Sequence, residues 1–186
     1  MLEYYSRLLK NRDTSYKLFL LKYLFESVHK NIYSFSFYEL ACGLVSCSWD
    51  MINEKAEKFS YHDKLYALFN YIIENYDCVD NYSSQIDIFE FLMNVTDKEI
   101  KKRLNNLVAY VPYRLIIDSN ISPILTGQTD AKKNKIIMKY THRSDDTLYM
   151  IDKKHIYVRN KYIQDIKSNY FNLMNWINDV IKKELS

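Results

Sequence analysis

The sequence predicts a mainly α, single-domain protein of about six helices, with a small β-hairpin before the C-terminal helix. Three observations lead there. Two Gly and two Pro in 186 residues leave few of the tight turns that a sandwich or barrel requires. Apolar residues make up 48% of the chain, enough to bury one core. Apolar side chains also recur every three to four residues along most of the length, the spacing of a helical face.

The first helix runs from Ser15 to about Asn31, with Leu18, Leu21, Phe25 and Val28 on one face and Asp13 or Thr14 as its cap. Ser36-Phe37-Tyr38-Glu39 has the Ser-x-x-Glu form of a capping box and starts a second helix. Its inward positions are Leu40, Ala41, Leu44, Val45, Trp49 and Ile52, and the small residues Ala41, Gly43, Ser46 and Ser48 permit close approach of a neighbour. Ser60 to Asp63 opens a third helix carrying Leu65, Leu68, Phe69, Ile72 and Ile73, with Asp63 as a capping residue. A short fourth helix spans Ser84 to Asn94.

Thr96-Asp97-Lys98-Glu99 reads as another capping box, followed by Ile100, Leu104, Leu107 and Val108. Pro112 disfavours helix at Val111, so this fifth helix is expected to end there and Tyr113 to Ile117 to be extended. Asp118 to Asn134 carries loop-forming residues, and Lys135 to Tyr140 reads as a strand. Leu148 to Ile151 and His155 to Val158 flank Asp152-Lys153-Lys154 as a hairpin would. A closing helix from Asn160 to Glu184 completes the chain.

Within this single domain the expected parts are a helical core over 1–112, a basic loop and hairpin over 113–159, and the closing helix over 160–186. Charge follows that division. Residues 1–112 hold 13 Lys and Arg against 15 Asp and Glu, whereas 113–186 hold 13 against 8. Between Lys132 and Lys161, nine cations face three carboxylates. Such a cluster suits a phosphate backbone, because each Lys or Arg placed on a phosphate releases condensed counterions. A solvated surface explains it equally simply. Lys98, Lys101, Lys102 and Arg103 form a second, weaker group.

Other chemistries find little to build on. The four histidines, His29, His62, His142 and His155, lie on different elements without metal-ligand spacing. Gly43 and Gly127 stand alone, so no phosphate-cradling loop is present, and no GxSxG elbow occurs. No metal or other cofactor is expected. The 18 tyrosines accompany abundant Lys, Asn and Ile and read as coding bias rather than as base-stacking platforms. Cys42, Cys47 and Cys78 are odd in number, lack CxxC spacing and read as reduced, buried thiols. Glu3 and Arg7 interrupt the start, and no apolar run approaches the roughly 18 residues of a membrane helix, so a cytoplasmic protein without a membrane partner is expected.

Several fragments resemble the N-terminal helical region of bacterial HNH endonuclease-containing proteins of the restriction or defence type. These are Thr14-Ser15-Tyr16-Lys17-Leu18-Phe19, Ser48-Trp49-Asp50, Phe59 to Leu65, Thr96 to Glu99, and Val111-Pro112-Tyr113-Arg114. The likeness runs over about 14–184 and includes the hairpin and Trp176. In that group the HNH module, with its metal and general-base histidine, follows this region. The present sequence stops at Ser186 and lacks those residues. The resemblance implies a helical module that recognises substrate, positions a nuclease or contacts a partner, with no catalytic residue to carry over.

The expected function is therefore a non-catalytic DNA-binding or nuclease-associated module of a bacterial or phage defence system. Its expected backbone contacts are Lys132, Lys133, Lys135, Lys139, Arg143, Lys153, Lys154 and Arg159. Arg114 is expected either beside them on a phosphate or as the partner of a carboxylate. The alternative is a protein-interaction subunit or inhibitor that docks on a nuclease or host partner, or on copies of itself, without binding nucleic acid.

Overall fold

A computed structural model describes residues 2–10, 15–59, 63–117 and 120–184. The expected caps Asp13 and Thr14 and the start of the third helix at Ser60 lie outside them.

The mainly helical architecture is as expected, with more helices than the six anticipated. A short α1 (Leu2–Leu8) precedes α2 (Tyr16–His29). The sequence suggested one apolar face for α2, yet Phe19, Leu20 and Leu24 are buried together with Leu18, Leu21, Phe25 and Val28. A helix apolar on most sides belongs inside the core. Here α2 packs against α3 (Phe37–Glu54) and against α10 (Asn160–Glu184).

The capping box of α3 forms as anticipated: Ser36 Oγ accepts from Glu39 N at 3.1 Å and Ser36 N donates to Glu39 Oε2 at 2.6 Å. Gly43 of α3 lies beneath the Tyr23 ring of α2, where a Cβ would come within 2.3 Å of ring carbons. The absent side chain sets how closely the two helices approach. Trp49 is fully buried, 4.6 Å from the Phe69 ring of α4 (Lys64–Asn75), and its Nε1 donates to Asp80 O. Asp63 caps α4 by accepting from Leu65 N and Tyr66 N.

Ser84 and Asp87 form a reciprocal box at the start of α5 (Gln85–Asn94). The cap of α6 (Lys98–Val108) is Asp97 rather than Thr96. Asp97 Oδ1 accepts from Glu99 N and Ile100 N, and Glu99 reaches forward to Arg103 at 2.9 Å. Tyr71 and Tyr76 donate to the other Asp97 oxygen. These bonds, with that of Tyr76 foremost, lower the Asp97 pKa.

The corner at Pro112 differs from expectation. The chain breaks at Tyr110 (φ −129°) and re-enters helix as α7 (Val111–Leu115), with Pro112 in the first turn. Its missing N–H would have had no intrahelical partner in that turn, so proline is tolerated there. Tyr113 to Leu115 are therefore helical rather than extended. Tyr149 Oη donates to Pro112 O at 2.6 Å inside the core, which fixes the corner as a packing joint.

The expected strand over 135–140 is overturned, and the expected loop over 118–134, of which 118–119 lie outside the described residues, contains helical segments. A single turn, α8 (Ser122–Leu125), is followed by α9 (Asp130–Arg143). The hairpin is present, as β2 (Tyr149–Asp152) and β3 (His155–Val158), but β1 (Ser34–Ser36) joins it. The antiparallel sheet has the order β1-β3-β2 and pairs Phe35 with Ile156 and Ile151 with Ile156. The closing helix α10 is kinked at Asn169, whose side-chain amide donates to Asp165 O.

Candidate nucleic-acid interface

The basic segment is organised by α9. Ile137 and Thr141 are its buried positions, turned toward α7 and the sheet. Thr141 Oγ1 accepts from Ile151 N at 3.1 Å, and His142 Nε2 donates to Ile151 O at 2.9 Å. The outer edge of β2 is thus covered by side chains of α9 instead of another strand.

With that face inward, Lys132, Lys135, Lys139 and Arg143 are exposed. Their steps of three, four and four residues place them within about 80° of arc on the helix, over a rise of about 16 Å. Among the described residues none of the four has a carboxylate within ion-pair distance. Lys153 and Lys154 lie at the β2–β3 turn and are likewise exposed and without an ion pair. Lys153 is two residues from Ile151, the residue that His142 holds. The turn is seated on the core by Phe37 N, which donates to Lys154 O at 2.7 Å.

Comparisons with protein-family models, curated proteins and solved structures find no match to this chain.

The remaining expected contacts do different work. Arg159 is largely buried, its side chain 19% exposed. Its guanidinium donates to Thr141 O, Ser144 O, Thr147 Oγ1 and Asp145 Oδ1, closing the C-terminal end of α9. No donor-rich edge is left for a phosphate, so Arg159 leaves the expected set. Lys133 turns out of the stripe toward Asp130, with Nζ 4.0 Å from Oδ1. Arg114 takes the second of its two expected roles: Nη2 donates to Asp130 Oδ1 at 3.1 Å while the guanidinium lies over the Tyr110 ring. Lys161 is paired with Asp146 at 2.6 Å. In the weaker cluster on α6, Arg103 and Lys102 both pair with Glu99.

The other titratable groups are dispersed. His29 stacks on Tyr170 at 3.8 Å, and His155 is exposed on β3, while His62 lies outside the described residues. Among the described residues no three His, Cys, Asp or Glu side chains are grouped as metal ligands. The Cys47 thiol donates to Glu26 Oε2 at 3.6 Å and accepts from Gln85 Nε2 at 3.1 Å. Burial first, and then the nearby carboxylate, push its pKa well up, the opposite of a poised nucleophile. Cys42 is also buried, but Cys78 is exposed, contrary to the expectation for all three. No helix among the described residues is long and apolar enough to cross a membrane.

Proposed function

We propose that the protein is a non-catalytic DNA-backbone-binding module, associated with a nuclease of a restriction or defence system. The observation that carries this reading is the single exposed face of α9 on which Lys132, Lys135, Lys139 and Arg143 lie without acidic partners among the described residues. Lys153 and Lys154 extend the contact from the hairpin turn. The helix backbone that carries these cations is already ordered, so only their side chains lose freedom on meeting phosphates, and release of counterions drives the association. Cellular setting and nuclease association rest on the sequence resemblance alone.

The test is fluorescence anisotropy with a short duplex at 50 and 200 mM salt. Four to six phosphate contacts predict a loss of affinity of about 10²–10³-fold across that range. Lys135→Glu with Lys139→Glu should abolish the interaction at micromolar protein, and the corresponding Ala pair should lower the salt slope by about two. Affinity insensitive to salt, or absence of binding by the wild type at micromolar protein, would exclude the reading.

A second reading, as a protein-interaction subunit, draws on the kink in α10. Two residues past it, Phe171 is 76% exposed beside His29, which lies three residues from the half-exposed Ile32. Self-association in light scattering that Phe171→Ser removes, with no duplex binding, would favour it.

A further inference from the structure

We propose that the cleft between α7, α8 and α9 binds a small phosphomonoester with an apolar body, of the size of a nucleoside monophosphate. The cleft encloses about 360 Å³, within the range of small-molecule sites, about 300–1,000 Å³. Leu125 and Ile137, both nearly fully buried, contribute apolar lining, and Arg114 and Lys133 contribute cations.

The charge balance selects the ligand class. Arg114 Nη2 and Lys133 Nζ both address a single oxygen, Asp130 Oδ1, at 3.1 and 4.0 Å. Arg114 and Lys133 thus share the single charge of Asp130, and Lys17 also lines the cleft. The Arg114 guanidinium has five N–H donors, and its one hydrogen bond among the described residues is that to Asp130. Lys133 is too far from the carboxylate oxygen for a good hydrogen bond. A phosphomonoester brings between one and two negative charges and three acceptor oxygens, which match both cations better than the single carboxylate does.

This site does not depend on DNA binding by the α9 stripe. Lys133 projects about 100° around the helix from Lys132. The two sites can therefore be disabled separately.

The experiment is a titration of the isotope-labelled full chain with thymidine 5′-monophosphate, following the methyl signals of Leu125 and Ile137. Both should shift at sub-millimolar ligand, and neither thymidine alone nor inorganic phosphate alone should bind within tenfold as tightly. Arg114→Ala should weaken binding by about tenfold or more. Asp130→Asn should tighten it by about three- to tenfold, because the competing carboxylate is gone. Damage to the fold cannot produce that gain. The pair Lys135→Glu with Lys139→Glu, which disables the stripe, should leave this affinity unchanged. Absence of methyl shifts at millimolar nucleotide, equal affinity for inorganic phosphate or thymidine, or an Asp130→Asn affinity no tighter than wild type would each overturn the proposal. Loss of duplex binding with nucleotide binding intact would instead overturn only the function proposed for α9.

Discussion

Lys153 sits at φ 51°, a left-handed backbone that lysine adopts at a cost, whereas the other such non-glycine residue among those described is Asn31, a type more tolerant of it. Lys153→Gly should therefore raise stability by about 0.5–1 kcal/mol, read as a higher urea midpoint at unchanged slope. The thiols allow a sharper test. Burial pushes the Cys42 thiol up to about 12 and Cys47 well up, while Cys78 is exposed. At pH 8 the native protein should take up iodoacetamide at Cys78 alone, and the urea-unfolded chain at all three cysteines. Mass spectrometry showing native labelling of Cys47 would contradict the packing described. Residue-scale features with local partners were legible in the sequence: the Ser36 and Glu39 box pairs groups three residues apart. The fate of Arg159 was not, because its acceptors lie 12 to 18 residues away and come together only on folding.

Elements behave similarly. The helices with strong periodic stripes appear where expected, whereas α9 stands where the sequence suggests a loop and a strand. Ile136-Ile137-Met138 looks like a short β-prone run, and the surrounding cations hide a helical face whose inward positions include a threonine. The apolar pattern that would have disclosed it is completed by contacts to β2 and α7, which no local window contains. The Pro112 corner departs from expectation because the steric rule for the residue before proline is a preference, and here the break falls one residue earlier, at Tyr110. Gly43 shows packing overriding propensity within an element. Alanine there gains up to about 1 kcal/mol of helix propensity, but its Cβ would meet the Tyr23 ring at 2.3 Å. Moving that ring disturbs its contacts with Phe35 and Phe89. Gly43→Ala should therefore be destabilising by about 1–2 kcal/mol net, measured by thermal unfolding.

At the scale of the whole molecule, the division at residue 112 is one of charge more than of packing. Tyr149 bonds to Pro112, α7 packs on α2, and β1 from the first part pairs with β3 from the second. Tyr5 donates to Asp165, and Tyr4 stacks on Tyr162, so α1 is fastened to the start of α10. A single core was legible from composition. The central position of α2 was not, since a helix wrapped on most sides announces itself only by the partners that wrap it. A chain ending at residue 159 should keep much of its far-ultraviolet helical signal yet lose a cooperative melt and bind hydrophobic dye, because α2 would lack its α10 neighbour.

That dependence of α2 on α10 also constrains the order of events at the ribosome. All of the chain from the end of α2 to the end of α10 must be translated before the earliest long helix acquires this wall, a wait of roughly 8–31 s at about 5–20 residues per second. During that interval the nascent α2 presents leucines and phenylalanines to chaperones and proteases. Stalled nascent chains should stay sensitive to cleavage there until the final helix has cleared the exit tunnel.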